Sequence, residues 1–507
     1  MKVSSSLNRK LGAILSIVNL LVSVLIGMVY TPICVRCLGQ SDYGLYTFAF
    51  GLVGYLSILD FGFGSALVRY SSRLNETNSN ETNNLYGFFL ILFSVIGFIA
   101  FGIGLSVYFN MNSIFANSFT SEELFLLSKI FPLLLINVSL SFPFGVFSAI
   151  IQAHEKFVFL RVVDIVKSIC SHLIVILVLL LGYKVYALTL ITVCFSFVVY
   201  LVNTYYCFFK LNVRFGFNLT NIDLYKQIVK YSFFVFLGMI GTKLYDETDK
   251  LVLGYFCGSK EVALYGVAIT FQMYFQILAL SLTNVFFPLL NRILVSANAD
   301  VEISQLFNKI SHFLLVILEF IIVGFLVFGR EFTVLWVGND YINSYIIALI
   351  ILLPSLVPLS QYLGNSILEA MNRHRVNSIM YFVMALFNVI ISIPLAIRFG
   401  GIGAAIGTAV GTILARIVFI NWYYVNKIGL KVKEYWMNFI IISIKYVPVL
   451  LVMYFSNFLF SNSSWTFLII KILLSLIVCV PYVYMFILNE YEKNLVLNFV
   501  NFRSMSH

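Results

Sequence analysis

Apolar stretches long enough to cross a lipid bilayer recur along the whole chain, and this removes most folds from consideration. At about 20 apolar residues per crossing, candidate spans fall at residues 11–33, 43–66, 85–109, 124–151, 158–181, 185–209, 227–256, 262–290, 308–329, 341–369, 376–397, 402–425, 436–460 and 465–488. Backbone in hydrocarbon has no water to bond with, so spans of this length are expected to be helices. Hydrophobic residues make up 61% of the 507 and charged residues 11%, against about 45–50% and about 25% in soluble domains. The expected fold class is an all-α polytopic membrane protein with about fourteen transmembrane helices.

The net charge of +10 does not mark a nucleic-acid surface, because Lys and Arg sit in short clusters between the apolar runs. Sorted by loop, twenty fall on one side, from Lys2, Arg9 and Lys10 to Lys493 and Arg503. Five fall on the other: Arg36, Lys184, Lys260, Arg330 and Arg398. By the positive-inside rule both termini are expected in the cytoplasm. The first apolar run, to about Ile33, is too long for a signal-peptide core and reads as a retained span.

Two parts of the chain carry the same short sequences in one register. Gly39, Asp42, Leu45 and Tyr46 answer to Gly258, Glu261, Leu264 and Tyr265 at a shift of 219, IIQAHEK ending at Lys156 to ILEAMNR ending at Arg373 at 217, and Tyr205-Tyr206 to Tyr423-Tyr424 at 218. The repeat pairs spans 1 with 7, 4 with 10 and 6 with 12, so both copies enter the membrane from the same side and are expected to be parallel repeats. The expected division is an N-terminal lobe at 1–210, a cytoplasmic linker at 211–226, a C-terminal lobe at 227–427, and two further spans with a cytoplasmic tail at 428–507.

Within this frame Trp336, Trp422, Trp436 and Trp465 fall at span ends, where amphipathic rings anchor. Gly403, Gly407 and Gly411 would let another backbone approach closely. Pro132 and Pro143 in span 4, and Pro354 and Pro358 in the equivalent span 10, are expected to break their helices.

Charges inside the spans are the candidate functional residues, since each costs at least about 2.5–3.5 kcal/mol at mid-bilayer. Span 7 carries five: Lys243, Asp246, Glu247, Asp249 and Lys250. Lys243 and Glu247 are four apart, as are Asp246 and Lys250, which sets these four within an arc of about 100° with Asp249 beside it. This face either lines a hydrated cavity or forms a self-neutralising ladder against another helix. Asp60 either caps a helix beside Gly62 and Gly64 or lines the same cavity. Arg416, Lys167, Lys445 and Lys471 are buried-cation candidates, with Lys129 and Lys471 close enough to span ends to snorkel and Asp164 placed to neutralise Lys167. Glu319 has no neighbour of opposite sign in its own helix, so it is either a proton carrier or paired across to another helix. Asp60 and Glu319 are thus the ion-coupling candidates.

The chain contains no P-loop, nucleophile-elbow or zincin motif, and its five histidines are scattered. Cys34 and Cys37 form the one C-x-x-C, without a second pair or a nearby histidine. No metal or cofactor site is expected; the energy source would be a proton or sodium gradient.

The sequences YTPICVRCLGQSDYGLYTFAF, LDFGFGSALVRYSS and DKLVLGYFCGSKEVALYGVA resemble polysaccharide repeat-unit flippases of the Wzx type, in the multidrug/oligosaccharidyl-lipid/polysaccharide exporter superfamily. The residues carrying the resemblance are Gly39, Tyr43, Gly44, Tyr46, Asp60, Gly62, Gly64, Asp249, Gly254 and Tyr265. The resemblance implies a MATE-like fold of two six-helix lobes around a central cavity, plus two C-terminal helices. It implies a non-enzymatic flippase of the bacterial inner membrane that moves undecaprenyl-diphosphate-linked O-antigen or other surface-polysaccharide repeats. Lipid-linked oligosaccharide, membrane lipids and other polysaccharide assembly proteins would be its partners. On that reading Lys243 and Lys250, with Arg416, attract diphosphate, and Asp246, Glu247 and Asp249 pair with them or exchange ions. The span 7 cluster departs from the pattern in being acidic on balance. A cation-coupled antiporter of small amphiphiles, or an integral-membrane glycan polymerase or ligase, are the alternatives; the absence of any loop beyond about 20 residues counts against the enzyme, whose catalytic groups need room outside the bilayer.

Overall fold

The computed structural model describes residues 2–74, 79–218, 221–294, 296, 298–371, 373–458 and 464–494. In chain order its helices are α1 (Lys2–Leu56), α2 (Phe63–Leu74), α3 (Ser79–Phe109), the short α4 (Met111–Phe115), α5 (Ser121–Ala153), α6 (Phe157–Leu180), α7 (Val185–Phe209), α8 (Ile222–Phe256), α9 (Ser259–Asn284), the short α10 (Phe287–Ile293), α11 (Ala299–Val337), α12 (Ile342–Ser360), the short α13 (Leu363–Ala370), α14 (His374–Thr412), α15 (Ile420–Tyr423), α16 (Val432–Phe458) and α17 (Trp465–Tyr482). Among the described residues no strand occurs. Twelve helical runs are long and apolar enough to cross a membrane. Two of them carry an internal break, α1 at Gly39 and α14 at Gly400, at places where the sequence reading divides two spans.

Glycine, not proline, makes these breaks. α5 continues through Pro132 and Pro143, and α12 through Pro354 and Pro358. The chain turns instead at Gly39 (φ 79°) and its repeat counterpart Gly258 (φ 87°), and at Gly182 (φ 89°) and Gly400 (φ 57°), which stand 218 residues apart. A Cβ disfavours this left-handed backbone. The repeat read from side chains is therefore also a repeat of backbone turns.

By packing, the chain forms two compact units, Met1–Gly266 with Tyr381–Ala404, and Val267–Met380 with Ala405–His507. Packing and repeat divide the chain differently: α8 follows the inter-lobe linker in sequence yet packs on α1 and α2. The linker lies against α3, where Gly216 N–H donates to Asn83 O (2.8 Å); its residues 219 and 220, like tail residues 495–507, fall outside the described residues.

In lipid the hydrophobic effect does not press helices together, so close packing must do so. In the first unit, Phe89, Val146, Ile150, Cys207 and Ile228 centre a core drawn from α3, α5, α7 and α8. A Cβ on Gly44 would collide with the Ser259 carbonyl, so α1 and α9 approach at backbone distance. The glycine stripe meets an unexpected neighbour, for Gly403 abuts the Leu395 carbonyl of its own helix across the Gly400 break.

The second unit centres on α11, which packs with α12, α16 and α17. Phe307, Leu363, Ile367, Met380 and Tyr424 form its core. Trp336, expected as an interfacial anchor, is buried among Phe271 and Phe332; Trp422 and Trp465 are exposed. Lys471 does not snorkel. It is buried, with Nζ 2.9 Å from Glu331 Oε2 and 3.2 Å from Asn457 Oδ1, because α11 supplies its counter-charge inside the unit. In the first unit, Asp164 makes its ion pair with Arg161 (3.4 Å), three residues earlier instead of three later.

Candidate functional site

The ionic face of α8 is organised by two glycines on α1. Lys250 Nζ donates to Glu247 Oε2 at 2.7 Å, so the ion pair joins residues three apart, not four as the helical wheel pairs them. Cβ atoms on Gly51 and Gly54 would stand 3.4 and 3.5 Å from the Glu247 carboxylate. Bare backbone at these positions leaves a notch that receives the pair. Next to it Tyr55 and Thr248 join α1 to α8 through their hydroxyls (2.6 Å).

Lys243 and Asp246 lie outside that notch. Asp246 is exposed and Lys243 half-buried, and among the described residues no hydrogen bond or ion pair within 4 Å joins either to another side chain. They leave one cation and one carboxylate of a membrane-crossing helix available to water or to a polar ligand.

Asp249 has a different setting. It is buried (1% exposed) and accepts hydrogen bonds from the Tyr265 hydroxyl of α9 and from Asn388 Nδ2 of α14 (3.3 Å). Ser392 Oγ donates to Asn388 Oδ1 (2.6 Å) and lies 3.2 Å from Ala404 O across the Gly400 break. A carboxyl held by a hydroxyl and an amide N–H has neutral donors where a lysine could have stood. Sequence reasoning misses Asn388 and Ser392; their signal is two polar residues four apart within an otherwise apolar run.

Asp60 occupies a second polar place in the first unit. It ends a 3-10 turn, Ser57–Asp60, and its carboxyl accepts from the backbone N–H groups of Gly62 and Gly64, which caps α2. It also lines a cavity of about 610 Å3 together with Ser57, Ser141, Ser148, Gln152 and Phe142. Capping and lining are thus held by the same carboxyl.

Arg416 and Glu319 belong to the second unit. Arg416 is buried in a π-helical turn, Ile413–Phe419. Glu319 is buried on α11 and hydrogen-bonded to Ser443 of α16. Of the residues named from sequence, the structure therefore brings together Glu247 and Lys250, sets Lys243 and Asp246 beside them, and gives Asp249, Asp60, Arg416 and Glu319 separate surroundings. Among the described residues no group of three or more His, Cys, Asp or Glu could hold a metal ion.

Residues 10–294 match the family of polysaccharide biosynthesis proteins, more than half the chain. The chain belongs to that family. A Shigella flexneri protein named "Putative O-antigen transporter" is 24% identical over 406 residues, covering 77% of this chain and 91% of that protein. Among solved structures, the lipid II flippase MurJ in an inward closed conformation superposes with a TM-score of 0.71 at 18% identity, over 97% of this chain and all of that one. An inward-facing multidrug resistance MATE family transporter of the MOP superfamily superposes at 0.57 and 15% identity, over 78% and 93%. At these identities the structural likenesses establish the fold, and it is MATE-like. The family, the fold and the apolar helices together make this a multi-pass membrane protein with a MATE-like fold.

Proposed function

We propose that the protein is a flippase that carries an undecaprenyl-diphosphate-linked oligosaccharide, a repeat unit of O-antigen or another surface polysaccharide, from the cytoplasmic to the outer leaflet of the bacterial inner membrane. The observation that carries this reading is the open ionic face of α8. A lysine and an aspartate that no hydrogen bond or ion pair among the described residues closes off are costly on a membrane helix unless water or a polar cargo meets them. The names of the Shigella relative and of MurJ support the cargo class.

In this reading the sugar and diphosphate travel through a hydrated passage while the prenyl tail stays in lipid, and alternating access opens the passage to each side in turn. Lys243 is the first contact for diphosphate, since Lys250 already neutralises Glu247. Arg416 is a second cation of the same role. The Asp249 group, with Asp60 and Glu319, takes up the coupling proton or sodium ion. Both termini are cytoplasmic. The protein works as a transporter, not an enzyme, alongside other polysaccharide assembly proteins.

The test is deletion followed by locating the lipid-linked repeat. Accumulation in the cytoplasmic leaflet is expected. Accumulation in the outer leaflet would point to a polymerase or ligase. Drug sensitivity on deletion with normal surface glycan would favour a cation-coupled antiporter.

A further inference from the structure

We infer that the cavity beside Asp60 is a sugar subsite that admits neutral or amino sugars and rejects acidic ones. This rests on the flippase reading and concerns the part of the cargo that Lys243 does not hold.

The argument is a count of donors and acceptors. Ser57 Oγ donates to Gly54 O (2.6 Å), Ser141 Oγ to Val138 O (2.6 Å) and Ser148 Oγ to Gly145 O (2.9 Å). Each of these hydroxyl hydrogens is thereby spent on a nearby carbonyl and leaves an acceptor oxygen, while Ser65 and Gln152, which also line the space, keep donors for sugar oxygens. The Asp60 carboxyl adds further acceptors, and no lysine or arginine lines the space. Such a wall welcomes O–H and N–H donors. The carboxylate of a uronate brings acceptors alone and would meet Asp60 with like charge, without a cation among the lining residues to offset it. The volume of about 610 Å3 lies within the range of small-molecule sites, roughly 300–1,000 Å3. Gly145 contributes room as well: nothing lies within 4 Å of where its Cβ would stand.

The test uses the purified full chain in lipid nanodiscs and saturation-transfer NMR with three probes: methyl glucoside, methyl glucosaminide and methyl glucuronide. Signal is expected from the first two, with the glucuronide at least tenfold weaker. Gly145→Leu, whose Cβ would meet nothing within 4 Å, should lower the first two signals at least fivefold while the melting temperature stays put. Asp60→Asn should narrow the gap between glucosaminide and glucuronide, and it reads the same question if G145L does not fold. Equal signals from all three sugars, or a gap unchanged in D60N, would overturn the inference. These outcomes are independent of the leaflet experiment: normal export after deletion sinks the flippase reading, whereas arrested export with an indiscriminate cavity sinks this inference alone.

Discussion

Two lysine–glutamate pairs of nearly the same length serve different ends in this molecule. Lys250–Glu247 spans 2.7 Å within α8, and Lys471–Glu331 spans 2.9 Å between α17 and α11. The first joins residues of one helix, so it neutralises charge without tying that helix to a neighbour. Its side chains remain 17% and 15% exposed, and two further charged residues stand beside it. The second joins helices through residues 140 apart in sequence, with Asn457 closing the contact and the lysine side chain 4% exposed. An ion pair is a rivet when it crosses between helices and is sealed. It is part of a polar surface when it stays on one helix and half-open.

That contrast predicts a graded series of effects. The largest belongs to Lys471→Ala, which leaves Glu331, its side chain only 12% exposed, without its counter-charge and should cost about 3–5 kcal/mol, read as a lower unfolding temperature in detergent. The paired change Lys471→Met with Glu331→Leu should recover most of that loss. A K471A protein as stable as the parent would break the comparison at its stronger end. Next comes Lys243→Ala, expected to lower export of finished repeats at least tenfold, or about 1.4 kcal/mol, with insertion and melting unchanged; complementation of a deletion strain, scored by surface glycan, measures it. Unaltered export would remove Lys243 from the mechanism. The smallest effect on stability is that of Lys250→Ala, under about 1 kcal/mol because the pair is partly exposed. A larger loss in the same melting assay would make the α8 pair a rivet too.

Much of the fold is legible in the order of residues alone. A charge inside an apolar run is rare enough to notice, which is why Lys243 to Lys250 stand out. The pairing among them does not, because helical spacing allows both three- and four-residue partners and the Gly51–Gly54 notch that favours one of them lies on another helix. Lys471 defeats the sequence rule for a similar reason. Snorkelling is the default for a lysine near a span end, and only a carboxylate 140 residues away reverses it. The Asp60 cavity is half visible: the carboxyl announces itself, whereas the serines that share its wall are ordinary residues in membrane helices and carry no signal on their own.

Transfer from water to lipid is close to a sum over consecutive residues, so the apolar spans and the family follow from the one-dimensional string. The neighbours of each charge and the acceptor-rich wall around Asp60 follow from contacts between residues far apart in the chain. No local sum contains those contacts. They exist only once the helices have packed.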